Sequence, residues 1–440
     1  MLNPNLPNDL DAFWMPFTDN RGFKAAPRVF TRARDMHYYT PEGRAVLDGT
    51  GGLWCVNAGH TRAPIVAAIK ASAEEIDFAP QFQLGHPAAF SLATALAQIT
   101  PAGLDRVFFT NSGSEAVDTA LKIALAYQRA IGQGARTRLI GRARAYHGVN
   151  FGGISVGGIV GNRKQFLTLP GVDHLPHTYD RAEQAFSRGR PAWGAHLADA
   201  LEDLVNLHGA ETIAAVIVEP LSGSTGVLPP PVGYLERLRE ITRKHGILLI
   251  FDEVITGFGR CGAAFGAQAF GVTPDIMCVA KGLTNGAVPM GAAISAGFVQ
   301  DAIVDAAAGG IVDFAHGYTY SGHPLAAAAG LATLRVYEEE GLFAKANALA
   351  PVWADAFHAL ADVPGVVDIR SFGLVVGVEL TPSGEGVGMR GRAVFRKAFD
   401  DGLLVRAAAD TLCLSPPLIA SAAQIDEMAD KLKAAILAVG

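Results

Sequence analysis

The sequence predicts an α/β fold in which a large domain, with a mostly parallel sheet covered by helices, is joined to a smaller α+β domain. Three observations lead there. The chain has 440 residues, more than one ordinary core takes and fewer than three need. Half of those residues are apolar and only 18% are charged, a balance that supports a large buried interior. From about residue 61 onward, short near-continuous apolar runs alternate with helical patterns, as expected of strands buried on both faces and linked by helices.

Residues 1–60 mix proline, glycine and aromatics and read as an irregular arm. Within it, 29–40, the turn Pro41-Glu42-Gly43 and 44–48 read as strand, turn, strand. The segment 86–99 has helical spacing, 106–110 is strand-like, and 114–129 is helical with apolar residues at 117, 120, 121, 124 and 125. Strands are expected over 137–140, 213–219, 247–254 and 276–280, with a helix over 232–244. Residues 317–324 interrupt the pattern, 325–340 reads as one long helix, 366–371, 374–380 and 403–407 as strands, and 424–437 as a helix. The expected division is an arm over 1–60 that contributes to the small domain, a large domain over 61–325 and a small domain over 326–440.

The net charge of −6 offers no basic footprint, so a nucleic-acid partner is not expected. Cys55, Cys261, Cys278 and Cys413 lie far apart with no C-x-x-C pair, so neither disulfides nor a metal site is expected, and a reduced, cytoplasmic setting fits. The opening MLNPNLPNDLDAF has neither a basic start nor an apolar core, so it does not read as a signal peptide. No apolar run reaches membrane-spanning length, so no membrane partner is expected.

The apolar run over 247–251 ends in Asp252-Glu253-Val254. Ligands of open parallel sheets sit outside the carboxyl ends of strands, which suits Asp252 to be a metal ligand, a general base or a counter-charge for a cationic ring. A cap of the following turn is an equal reading of that residue alone. The run over 275–280 delivers Lys281, which of the ten lysines is the one that ends a buried-looking strand and enters a glycine-containing loop. Desolvation frees such an amine for Schiff-base chemistry, although a lone lysine at a strand end more commonly runs its stem out to solvent. Together, a carboxylate and an amine at neighbouring strand ends are what pyridoxal phosphate requires: a lysine for the aldehyde and an acid to keep the ring nitrogen protonated.

A phosphate site is also legible. Strand 106–110 runs into Asn111-Ser112-Gly113-Ser114 and then a helix, an arrangement that offers free amides and two hydroxyls at a helix start, or else an ordinary cap. Tyr146 of Tyr146-His147-Gly148 is available to stack on a ring whose other face Val254 would pack. Two motifs point elsewhere. Gly257-Phe258-Gly259-Arg260-Cys261-Gly262 satisfies the dinucleotide pattern, but it begins too far after its strand, and Gly266 and Gly271 spoil the helix that should follow. Gly153-Ile154-Ser155-Val156-Gly157 satisfies the hydrolase elbow pattern but lacks a clean strand before it, and a flexible glycine-rich loop is expected there. A serine hydrolase using Ser155 is the alternative from a different class.

With these residues in hand, the chain resembles the class III (omega) aminotransferases of fold type I over nearly its whole length. The most specific stretch is 247–291, ILLIFDEVITGFGRCGAAFGAQAFGVTPDIMCVAKGLTNGAVPMG. The resemblance implies that Asp252 pairs with the pyridinium and that Lys281 carries the cofactor. It further implies that Ser112, Gly113 and Ser114 hold the phosphate, that Tyr146 stacks, and that His147, Glu219 and Val254 belong to the cofactor site. It implies a homodimer, possible as half of a tetramer, in which Thr319 of His316-Gly317-Tyr318-Thr319 reaches the neighbouring subunit's phosphate.

Trp14-Met15-Pro16-Phe17-Thr18 and Leu53-Trp54 resemble the subgroup that transfers amino groups from β-alanine, other ω-amino acids or amines to pyruvate in a ping-pong reaction. In that subgroup Phe17, Leu53 and Trp54 would line the substrate pocket, with Phe17 and Trp54 as apolar walls, and Arg406 would receive the carboxylate. Relatives of the ornithine and γ-aminobutyrate type carry a glutamate, five residues after that of Val218-Glu219-Pro220, that pairs with this arginine; here the position is Ser224. Arg406 is therefore expected to be free for α-carboxylates, pyruvate among them. Ala407-Ala408-Ala409 also departs from the Thr-Gly that follows the arginine in close relatives. An aminomutase or decarboxylase on the same scaffold is the other reading that keeps Lys281 and Asp252.

Overall fold

The computed structural model describes residues 8–440. Its central sheet has seven strands, β1 (Leu104–Thr110), β2 (Arg138–Arg142), β3 (Val172–Leu175), β4 (Ile213–Val218), β5 (Leu248–Asp252), β6 (Ile276–Val279) and β7 (Gly291–Ala296). Across the sheet they run β1-β7-β6-β5-β4-β2-β3. Only β7 is antiparallel to its neighbours; the other adjacent pairs are parallel. Every residue of β4, β5 and β6 is buried, because helices cover both faces. Alternate side chains go to opposite sides. Ala215, Ile217 and Ile250 meet Val117, Ala120 and Ala124 of helix Gly113–Ala130, whereas Val216, Leu249 and Phe251 meet Leu235, Leu238 and Ile241 of helix Tyr234–His245. That second helix ends at Gly246 in the left-handed conformation, with Arg243, Lys244 and His245 in its last turn, a favourable terminus for the helix dipole.

The expected parallel sheet is present, and two of its strands were not foreseen. β7 is Gly-Ala-Ala-Ile-Ser-Ala, a sequence with little strand preference of its own; it is a strand because it bonds β1 on one side and β6 on the other. Its Gly291 is required, since a Cβ there would come within 2.5 Å of the Ser112 carbonyl. β3 is a short edge strand with polar Asp173 and His174 at its centre.

Residues 29–40, expected as one strand, instead form a hairpin. Arg32–Arg34 pairs with His37–Tyr39 around Asp35, whose φ is +51°. The third strand of the arm, Ala45–Asp48, runs parallel to Leu403–Leu404, so the beginning and the end of the chain share a sheet. The strand expected over 403–407 is divided: Leu403–Leu404 serves the arm, and Arg406–Ala408 pairs with Thr411–Leu414 in a second sheet that also holds Val366–Phe372 and Val375–Leu380. Helices Leu342–His358, Met389–Asp400 and Ala422–Val439 complete this part.

Residues 151–158 are not the flexible loop that their glycines suggest. Phe151–Val156 is a short helix, and the glycines are there for contact: a Cβ on Gly141 of β2 would lie 1.9 Å from the Val156 carbonyl oxygen, and one on Gly153 would lie 2.2 Å from that of His147. No helix among the described residues is long and apolar enough to cross a membrane, and no cluster of three or more His, Cys, Asp or Glu suited to a metal occurs among them.

Candidate active site

β5 and β6 are adjacent parallel strands in which Asp252 stands opposite Cys278, and the Glu253 amide donates to the Cys278 carbonyl at 2.9 Å. That register brings the Asp252 carboxylate and the Lys281 amine to the same end of the sheet. The backbone turns sharply after β6. Lys281 has φ +51° and opens the 3-10 turn Lys281–Thr284. The strained residue is held from two sides: the Tyr337 hydroxyl donates to the Gly282 carbonyl at 2.6 Å, and a Cβ on Gly282 would meet Asn57 Nδ2 at 2.8 Å and Phe258 Cβ at 2.9 Å. A left-handed non-glycine residue persists only when its surroundings over-determine it.

Burial lowers the Lys281 amine to about 8; Asp252, with smaller contributions from Cys55 and Glu219, pulls it up, and the positive charge of Arg406 pushes it further down. Asp252 is 5% exposed. Its Oδ2 pairs with His147 Nδ1 at 2.8 Å, and its Oδ1 accepts from the Val254 amide at 3.1 Å. Glu219 is enclosed, and burial raises its carboxyl above the usual range. It accepts from the amides of Tyr146 at 3.0 Å and Gly223 at 3.2 Å, so it positions the segment that carries Tyr146.

Gly113, Ser114, Tyr146, His147, Glu219, Asp252, Val254 and Lys281 line one cavity of 140 Å³. Ser112 caps helix Gly113–Ala130, accepting from the Glu115 amide at 3.2 Å, and Ser114 Oγ accepts from the Val149 amide at 3.1 Å. The first amides of a helix have no partner within it, so this end of the cavity is suited to an anion. Gly113 keeps it open, because a Cβ there would lie 3.0 Å from both methyls of Val254. The His147 Nε2 is buried without a partner among the described residues. An amine, a carboxylate and an anion-binding helix start around one cavity fit a phosphorylated pyridine aldehyde.

A larger cavity of 1010 Å³ is lined by Phe17, Leu53, Tyr38, Cys55 and Arg406 among others, and Arg406 and Cys55 lie near enough to Lys281 to act on its charge. Phe17 and Leu53 are 80% and 65% exposed, whereas Trp54 is 1% exposed. The expectation that Trp54 walls this space is therefore corrected. The backbone through Gly52 and Leu53 is non-helical and Trp54 itself has φ +66°, which turns Leu53 outward and seats Trp54 in the core. The Arg406 guanidinium has no carboxylate or hydrogen-bond partner among the described residues, and Ser224 is buried. Thr319 lies on the surface in the turn closed by the Ser321 amide and the Tyr318 carbonyl, away from its own chain's cavity. Tyr38 and Cys55 were not foreseen as cavity residues; only the neighbouring Leu53-Trp54 hinted at Cys55, and nothing local marks Tyr38.

The two misleading motifs are structural. Ser155 is fully buried in its helix, bonding the Phe151 carbonyl and accepting from the Leu169 amide at 2.8 Å, which rules it out as an exposed nucleophile. In the glycine motif, Arg260 is buried and donates to Asn57 Oδ1 at 2.7 Å and to the Pro416 carbonyl at 2.5 Å, so that loop staples the chain to its C-terminal part.

The chain matches the family aminotransferase class-III over residues 19–436. It is 61% identical to an omega-aminotransferase of Caulobacter vibrioides, over 97% of each chain. It is 47% identical to a beta-alanine–pyruvate aminotransferase of Pseudomonas aeruginosa, over 97% of this chain and 96% of that one. Among solved structures, the omega transaminase of Pseudomonas jessenii in complex with PMP superposes with a TM-score of 0.92 at 33% identity, covering 97% of this chain and 96% of that one. The cavity at the ends of β5 and β6 and these likenesses agree: the chain belongs to the class-III aminotransferases and is a pyridoxal-phosphate-dependent enzyme that moves an amino group from an amine donor to an oxo-acid acceptor.

Proposed function

We propose that this enzyme transfers the amino group of β-alanine, another ω-amino acid or an amine to pyruvate, giving alanine, in two half-reactions. The observation that carries the acceptor is Arg406: a guanidinium without a carboxylate partner on the wall of the 1010 Å³ cavity beside Phe17 and Leu53. Such a group binds an α-carboxylate with two parallel hydrogen bonds, and the apolar walls fit a small carbon chain. The name of the Pseudomonas aeruginosa relative, a beta-alanine–pyruvate aminotransferase, supports the same donor and acceptor, and that of the Caulobacter relative, an omega-aminotransferase, supports an ω-amino donor.

When bound, pyridoxal phosphate supplies an electron sink for the pair left as the donor's C–H bond breaks. Lys281, whose amine is neutral in a substantial fraction near pH 8, takes that proton from the donor carbon and delivers it onward as general acid. Asp252, held by His147, keeps positive charge on the ring nitrogen. The helix start at Ser112, Gly113 and Ser114 would hold the phosphate, and Tyr146 and Val254 would cover the ring. A homodimer would complete the site: exposed Phe78 packs edge-on against Tyr320, next to Thr319, and exposed Phe82 stands against Gly317, an apolar patch suited to a second copy, whose phosphate the exposed Thr319 would reach.

The test is the visible spectrum of the cofactor-loaded enzyme with β-alanine and no acceptor. The absorption band of the aldehyde form should give way to that of the aminated cofactor, and pyruvate should restore it. A band indifferent to β-alanine would remove that donor; an aminated form that pyruvate leaves unchanged would remove the acceptor.

A further inference from the structure

The larger cavity has a charge balance that its proposed reaction does not by itself demand. Its charged lining residues are Arg28, Arg392, Arg396 and Arg406 against the single acid Asp19, and Asp19 is already occupied as a helix cap, accepting from the Gly22 amide at 3.0 Å. Arg392 and Arg396 stand one turn apart on helix Met389–Asp400, both exposed, so their side chains share a face. Like charges at that spacing oppose each other and weaken a helix. Neither has an ion pair among the described residues, and residues 1–7 contain no acid that could supply one. Arg28 and Arg396 also line the neighbouring cleft, whose acids Asp9, Glu42 and Asp400 do not line this cavity, whereas Arg392 lines this cavity alone. Arg28 sits against the rings of Phe23 and Phe395; burial and then the charge of Arg396 lower its pKa, against an opposing pull from Asp400.

We propose that Arg392 and Arg396, backed by Arg28, form a cationic vestibule that draws carboxylate-bearing substrates, 2-oxo acids and ω-amino acids, toward Arg406 and disfavours simple cationic amines. This deepens the proposed function and rests on it for the identity of the substrates. Fields of like charge in a low-dielectric cleft concentrate counter-ions, and salt screens them within a distance of about 10 Å at 0.1 M.

Two measurements test it on the cofactor-loaded enzyme. The first is kcat/KM for pyruvate against ionic strength in the parent and in R392Q/R396Q. The double variant should lose roughly tenfold at low salt and meet the parent at high salt, while the surface control Arg237→Gln keeps the parent's slope. Equal values and slopes in parent and double variant overturn the vestibule. The second does not need turnover. Cys55 lines the same cavity, whereas Cys261, Cys278 and Cys413 are buried. Its thiolate attacks an aromatic disulfide, the S–S bond breaks, a mixed disulfide forms and a thiolate leaves, with Cys55→Ser identifying the signal. A dianionic disulfide should outpace a cationic one in the parent, and that ratio should collapse in R392Q/R396Q and in salt; an unchanged ratio overturns the proposal. A parent that shows the thiol preference but does not use pyruvate would refute the proposed acceptor and leave the vestibule standing.

Discussion

His147 Nδ1 lies 2.8 Å from Asp252 Oδ2, and this buried pair fixes the direction in which the carboxylate presents itself to the cavity. The imidazole comes from the segment that also carries Tyr146, whose amide is held by Glu219 at 3.0 Å, so the ring-covering residue and the acid are tied into one hydrogen-bonded group. Replacing Asp252 by Asn keeps the shape and removes the charge. We expect Asp252→Asn to lower kcat by about 10²–10⁴-fold while the folded protein still takes up cofactor. Near-parental turnover in that variant would show that the ring nitrogen needs no counter-charge from this residue.

Lys281 is predicted to be indispensable, with Lys281→Ala giving no steady-state transamination. Its titration gives a finer test. In the cofactor-free protein, an amine-reactive label should modify Lys281 increasingly as pH rises through about 8, well below an ordinary lysine. Asp252 raises and Arg406 lowers this value. Asp252→Asn should therefore shift the midpoint to lower pH and Arg406→Met to higher pH. A midpoint near 10.5 in the parent would contradict the buried setting.

Arg406→Gln should raise the KM for the oxo acid by about 100-fold, equivalent to about 2.7 kcal/mol. Arg406→Lys should recover only part of that loss, because an ammonium cannot reproduce the two-pronged contact. Steady-state kinetics with pyruvate decide it; an unaltered KM in both variants would mean that another group receives the carboxylate.

At the phosphate end, a Cβ on Gly113 would press on both Val254 methyls from 3.0 Å. Gly113→Ala should push Val254 toward the ring and weaken cofactor retention by about tenfold, or about 1.4 kcal/mol. Dialysis followed by titration back with cofactor measures this, and a retention equal to the parent's would show that Val254 yields without cost.

Gly141→Ala addresses folding alone. The new Cβ would meet the Val156 carbonyl at 1.9 Å, backbone that cannot rotate away. The expected loss is about 3 kcal/mol or more, read as a lower denaturant midpoint; a midpoint within error of the parent would mean that helix Phe151–Val156 is free to move off β2.

The sequence by itself determined the parallel sheet, the strand ends that carry Asp252 and Lys281, and the helix start at Ser112–Gly113–Ser114. Those features rest on local patterns: unbroken apolar runs, the turn residues that close them and a polar cap before a helical period. Only the tertiary structure decided that Gly291–Ala296 is a strand, since its propensity is weak and its two neighbours supply the bonds. It likewise decided that Leu53 faces the cavity while Trp54 enters the core, that Ser155 is buried, and that Arg406 begins a new strand after Val405 and so reaches the cavity. Which way a side chain points, and whether water can reach it, depend on partners far away in the chain, and no local spacing encodes them.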